Sequence, residues 1–200
     1  HRQHLTVVEM PVDSLEGKRI LEIGSGAGAF SAYFRSRGAE VFSIDITLDR
    51  VVSTANKLEL VDNDHKCCAL HADAEQLPFP DNNFDIVFSN GVLHHTPKTE
   101  KAIDEVYRVL KPGGAAAIML YARHSFLYWF NLFFIRGILF GRIFRDRNWL
   151  GKSTEWMSNK KQTVFNPETK VYSGNDIKHM FSSFSSLAIR KNSFDVRQFP

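Results

Sequence analysis

The sequence predicts an α/β fold, a mostly parallel sheet covered by helices. Apolar strand-like runs alternate with amphipathic helical runs between residues 18 and 121, and repeated β-α-β order gives parallel strands joined by right-handed crossovers. The first strand breaks into a glycine loop that opens a helix, Leu21-Glu22-Ile23-Gly24-Ser25-Gly26-Ala27-Gly28-Ala29-Phe30. At 200 residues with 44% hydrophobic content, the chain suffices for one domain, residues 1–200, and is too short for two full ones.

Residues 18–23 read as a short buried strand. Ala29 to Arg37 follows as a helix with Phe30, Tyr33 and Phe34 on one side and Gly38 as its stop. Val41 to Ile46 is a second strand with Asp45 at its end, Leu48 to Leu60 a helix, and Cys67 to His71 a short third strand. Residues 84–89 form a fourth strand. The helix from Lys98 to Leu110 turns Ala102, Ile103, Val106 and Leu110 inward and closes at Lys111-Pro112-Gly113-Gly114. Ala115 to Tyr121 is the fifth strand. The alternation then stops: 123–170 reads as an insertion, helical at first, with an aromatic-rich stretch from Phe126 to Phe144 and a polar end at Asn166-Pro167-Glu168. It resumes with Ser173 as N-cap of a helix to about Ser182, a strand from Leu187 to Lys191 and another starting near Phe194.

Charge is divided unevenly. Residues 1–122 carry 12 Lys and Arg against 17 Asp and Glu, a net of −5, whereas residues 123–200 carry 13 against 5, a net of +8. An acidic first part suits a cationic cofactor, and a basic second part suits an anionic acceptor, a membrane surface or nucleic acid. Cys67 and Cys68 are the only cysteines; adjacent in sequence, they make neither a disulfide framework nor a metal site, which points to a reducing, cytoplasmic setting without a metal. No signal peptide is visible, and the chain starts at His1 without methionine, the pattern of a piece of a longer protein. Asn131 and Arg136 interrupt the apolar run, which is too short for a transmembrane span.

Glycine admits positive φ and close approach of a ligand to the main chain, and the following helix offers unpaired N–H groups. The loop fits the dinucleotide fingerprint Gly-x-Gly-x-x-Ala (Gly24, Gly26, Ala29) and equally the Glu-x-Gly-x-Gly-x-Gly loop (Glu22, Gly24, Gly26, Gly28) of methyltransferases. Asp45, 21 residues after Gly24, stands where a ribose would be held in either case.

The stretch His71-Ala72-Asp73-Ala74-Glu75-Gln76-Leu77-Pro78-Phe79-Pro80-Asp81-Asn82-Asn83-Phe84-Asp85 discriminates. With the glycine loop and Leu110-Lys111-Pro112-Gly113-Gly114, it resembles the class I S-adenosylmethionine-dependent methyltransferases, in particular the large small-molecule group, over about residues 18–121 and 171–191. The resemblance implies a Rossmann-like three-layer α/β/α sandwich with a mostly parallel seven-stranded sheet, the last strand antiparallel. It implies S-adenosylmethionine as cofactor and S-adenosylhomocysteine as product. Gly24, Ser25 and Gly26 would hold the methionine part, with Glu22 near its amino group. Asp45 would bind the ribose and Ile46 pack on the adenine. Asp73 would accept from the adenine amino group, Ala74 donate its backbone N–H to the ring, and Asn90 lie by the reacting sulfonium.

Methyl transfer by in-line attack on the sulfonium asks the protein to align a nucleophile, exclude water and, for a hydroxyl, remove its proton. His94 and His95 are the candidate bases, since imidazole titrates in the required range; packing is their alternative role. The insertion is expected to act as a lid over a hydrophobic or anionic small-molecule acceptor, with His124, Tyr128, Trp156 and Tyr172 lining the pocket. Peripheral membrane contact through 126–147 is the competing expectation, since Arg123, Arg136, Arg142, Arg145 and Arg147 surround an apolar segment. A nucleic-acid methyltransferase fits the basic second part, yet Ser89-Asn90-Gly91-Val92 replaces the Asn/Asp-Pro-Pro-Tyr type sequence of amino-methylating enzymes. A non-catalytic binding protein of the same fold is the other alternative. The wording of the Asp73 stretch also resembles quinone-biosynthesis C-methyltransferases, whose pattern has no insertion like 123–170. Neither the acceptor atom nor the oligomeric state follows from the sequence.

Overall fold

β1 (Arg19–Ile23) is the axis of the sheet. The computed structural model describes residues 15–61, 67–123 and 168–190, with Phe133, Ile138 and Phe144 as isolated described positions, each helical. Around β1 stand β2 (Glu40–Asp45), β3 (Cys68–His71), β4 (Phe84–Asn90) and β5 (Leu110–Met119) in the order β3-β2-β1-β4-β5, every neighbouring pair parallel. The α-helices described from end to end are α1 (Ala29–Arg35), α2 (Leu48–Val61), α3 (Thr99–Val109) and α4 (Gly174–Met180). This is a Rossmann-like α/β fold. Consecutive residues Ile20, Leu21, Glu22 and Ile23 are all buried; since alternate side chains point to opposite faces, both faces of β1 are covered.

The chain divides into two compact units, residues 1–93 with 98–119, and residues 94–97 with 120–200. The first holds the sheet. Its strand order reverses at β1, which places a crevice at the carboxyl ends of β1 and β4, the usual ligand position in open parallel sheets. One side of the core is built on Phe34 and Phe88, edge to face with centroids 5.1 Å apart, with Phe30 5.0 Å from Phe88. A second aromatic group joins Phe79 to Phe84 at 4.9 Å and Phe84 to Phe42 at 5.5 Å.

Three sequence expectations are corrected. The first helix ends at Arg35 rather than Arg37. The fifth strand begins at Leu110, directly from α3, because the Pro-Gly-Gly run is absorbed as an irregularity: Phe84 pairs with Leu110 but Ile86 already with Ala115. Residues 187–190 form no strand and are exposed; among the described residues they join no ladder, and an apolar run does not make a strand without one. The described residues thus hold five strands, and the expected strand near Phe194 lies outside them.

In the second unit, Ala122 and Tyr172 form a parallel bridge, with Tyr172 N donating to Tyr121 O at 2.8 Å and Arg123 N to Tyr172 O at 2.8 Å. Ser173 caps α4 as expected. Its hydroxyl accepts from Asp176 N at 3.2 Å while its own N–H donates to Asp176 Oδ2 at 2.8 Å, a reciprocal capping box. Among the described residues, no helix is long and apolar enough to cross a membrane.

Candidate cofactor site

Two glycines of the loop after β1 do different work. Gly24 has φ of 77°, and a Cβ there would lie 2.2 Å from Val92 Cγ2, so only glycine lets the loop pass the segment after β4. Gly26, at φ 54°, has nothing within 4 Å of that position; its open side leaves the main chain approachable. Gly24 N and Ser25 N both donate to Ile44 O, at 2.8 and 3.0 Å, which ties the loop to β2. The Ser25 hydroxyl accepts from Thr54 Oγ1 at 2.9 Å, so that side chain fastens the loop to α2.

Asp45 ends β2 and anchors the loop from the other side. Its Oδ2 accepts from Gly26 N and its Oδ1 from Thr47 N, both at 2.9 Å. A carboxylate has about four lone-pair sites, so both oxygens keep acceptor capacity toward vicinal hydroxyls. Ile46, next in the chain, is 70% exposed, an apolar side chain left open at the rim.

Glu22, two residues before Gly24, is 2% exposed. Ser31 donates to its Oε2, and Ser31 Oγ lies 2.9 Å from Ser43 Oγ, so a small polar network sits between β1, α1 and β2. Burial pushes the Glu22 carboxyl up to about 8 despite the Ser31 hydrogen bond.

Asp73 and Ala74 follow β3. Register pairs Asp45 with His71, and Ala72 N donates to Asp45 O at 3.2 Å, so residues 73 and 74 come next to the end of β2. Asp73 shapes a turn: Oδ1 accepts from Glu75 N at 2.9 Å and its carbonyl from Gln76 N at 3.1 Å. Ala74 is buried. Asn90 closes β4, where Ser89 Oγ donates to Ile23 O at 3.1 Å and sets β4 beside the end of β1. The nine residues expected at a cofactor all stand at the carboxyl ends of β1 to β4.

In the second unit, His94 is buried and stacks on Tyr121 with ring centroids 3.8 Å apart. His95 is half-buried. Its Nδ1 lies 3.0 Å from Glu168 O and 3.1 Å from Thr169 Oγ1; a carbonyl only accepts, so Nδ1 is the donor and Nε2 is the nitrogen that holds the lone pair whenever the ring is neutral. Tyr172 is placed by its bridge to Ala122. His124, Tyr128 and Trp156 lie outside the described residues, as does most of 126–147. No group of His, Cys, Asp and Glu among the described residues could hold a metal ion.

Sequence reasoning missed Thr54, Ser31 and Ser43. Thr54 had a signal, an inward position on α2 between Val51 and Leu58, which are also buried. The serines had none, because their partners come from other elements.

A family model described as a methyltransferase domain matches residues 21–118. The chain is 39% identical over 112 residues to a malonyl-(acyl-carrier protein) O-methyltransferase of Buchnera aphidicola subsp. Baizongia pistaciae, covering 56% of this chain and 42% of that protein. It is 36% identical over 107 residues to a demethylmenaquinone methyltransferase of Clavibacter sepedonicus, covering 54% and 42%. The chain thus spans less than half the length of these two relatives. Among solved structures, the YcgJ protein of Bacillus subtilis superposes with a TM-score of 0.63 at 23% identity, covering 92% of this chain and 68% of that one. The cyclase SpnF superposes with a TM-score of 0.54 at 29% identity, covering 62% and 46%.

Proposed function

Residues 21–118 belong to the class I S-adenosylmethionine-dependent methyltransferases, and on that premise we propose that the chain methylates a small-molecule acceptor that is hydrophobic or anionic. The observation that carries the reading is Asp45: a carboxylate at the end of β2, tied to the open glycine Gly26, is suited to the paired hydroxyls of a ribose. The space beside Gly26 fits a ligand laid against main chain. S-adenosylmethionine supplies a methyl group already activated on a sulfonium. The chain's own tasks are then to bind, to orient and to handle a proton.

Gly24, Ser25 and Gly26 hold the methionine end through main chain, with Glu22 near its amino group. Asp45 takes the ribose. Ile46 covers the adenine by dispersion, Asp73 accepts from its amino group, Ala74 donates its N–H to the ring, and Asn90 presents its carbonyl near the sulfonium. For an acceptor that loses a proton, His95 is assigned over His94, because its carbonyl-held Nδ1–H leaves a basic Nε2 while His94 is buried in a stack. The insertion 123–170 chooses the acceptor. Relatives named for a malonyl carrier protein and for demethylmenaquinone agree with an acidic or a greasy acceptor, and the net +8 of residues 123–200 favours the acidic one.

Isothermal titration with S-adenosylmethionine, S-adenosylhomocysteine and NAD tests the cofactor. Tight NAD binding with neither of the others overturns it. Asp45→Ala should weaken S-adenosylhomocysteine binding about tenfold or more, the loss of hydrogen bonds to a charged group. The resemblance to a cyclase favours a second reading in which the cofactor fold serves another reaction. Mass-spectrometric detection of S-adenosylhomocysteine formed during an acceptor screen separates the two.

A further inference from the structure

The stretch from Gln76 to Asn83 belongs to no helix or strand, yet five of its eight residues are hydrogen-bonded to α3. Arg108 does most of this. Its Nε donates to Glu105 Oε1 at 2.7 Å; Nη1 donates to Phe79 O at 2.8 Å and Asp81 Oδ1 at 2.7 Å; Nη2 donates to Leu77 O at 3.1 Å and Glu105 Oε2 at 2.8 Å. All five N–H groups of a guanidinium are thereby used. Glu105 completes the frame by accepting from Leu77 N at 2.7 Å, and Glu75 Oε1 accepts from Lys98 N at 2.6 Å at the start of α3. Farther on, Asn82 N and Asn83 N donate to Arg108 O and Val109 O at 3.1 and 2.8 Å.

This frame acts on Asp73 and Ala74 through two short steps. Asp73 Oδ1 is tied to Glu75 N, Glu75 is tied to α3, and Leu77 is held on both its N–H and its carbonyl. We infer that Arg108, with Glu105, is a positioning residue that fixes the turn at Asp73 and Ala74 in the geometry that reads the adenine ring of the cofactor. The inference rests on the proposed cofactor and on the roles given to Asp73 and Ala74. A point-charge ammonium cannot replace the planar fork, because lysine offers three donors from one atom and no bidentate geometry.

The test compares S-adenosylhomocysteine with S-inosylhomocysteine, in which an oxo group replaces the adenine amino group, by titration calorimetry on wild type, Arg108→Gln, Arg108→Lys and Glu105→Gln. Wild type should prefer the adenine form by about tenfold, and the preference should collapse in Arg108→Gln and recover only in part in Arg108→Lys. Asp45→Asn, at the loop and ribose that both ligands share, should weaken both ligands equally. A merely structural role would lower the melting temperature and weaken both ligands alike, so an unchanged preference in the Arg108 and Glu105 variants overturns the inference. If Arg108→Gln does not fold, Glu105→Gln decides by the same ratio. Binding of neither ligand by wild type overturns the cofactor reading, and this inference with it, before any variant is measured.

Discussion

Glu22 shows how one buried carboxyl can set a pH response. Its carboxyl titrates at about 8 in the folded protein against an ordinary value of 4.5, so between those values the folded chain holds a proton that the unfolded chain has released. Stability therefore falls as pH rises through that interval and levels off above it. Glu22→Gln should flatten this stretch in urea melts; an unchanged slope would show that Glu22 is not the group responsible. Gly24 gives a second test. Gly24→Ala forces a methyl into Val92 and an L side chain into positive φ, which should cost about 2 to 4 kcal/mol. Val92→Ala in that background should restore the overpacking share, whereas purely additive losses would place the strain elsewhere. Glu22, Gly24 and Asp45 were legible in the sequence because glycine spacing and strand ends are local patterns. Ser31, Ser43 and the partners of Arg108 were not, since each is defined by a neighbour on another element.

Elements show the same division. β1, β2, β3 and β4 and their helices were readable from periodicity, and Ser173 from its cap position. Ser173→Ala should cost about 1 kcal/mol and speed amide exchange at the first turn of α4; unaltered exchange there would mean the cap does not limit that helix. Misreadings fell where pairing outweighs local preference. Pro112, Gly113 and Gly114 read as a stop before a strand, yet β5 runs through them because Leu110 already pairs with Phe84. Residues 187–190 read as a strand and form none.

Across the first unit, acid and base act in opposite directions. Asp85 lies below the usual carboxylate range: burial alone would raise it, but the Arg19 N–H and the Lys111 ammonium outweigh that. Glu105 is lowered by its hydrogen bond to Arg108. Both groups therefore add stability above their unfolded values, about 4, and lose it as pH falls through the lower folded ones, whereas Glu22 loses it as pH rises. Stability should peak near pH 5 in chemical denaturation, and Asp85→Asn should soften the acid side. Equal acid losses in wild type and variant would remove Asp85 from the account. The fold as a whole was legible because four motifs stood in order on one sheet. The acceptor was not, because the stretch to which we assign its choice, 123–170, carries no such order of motifs.

The division of the chain bears on how specificity could be exchanged between relatives. Only residues 94–97 of the second unit fall inside the run of the first. A chimera that keeps the first unit and takes another protein's second unit would need two replacements, one of four residues after β4 and one of everything beyond Met119. A graft made at the second point alone would leave His94 and His95 with foreign neighbours in place of Tyr121 and Thr169.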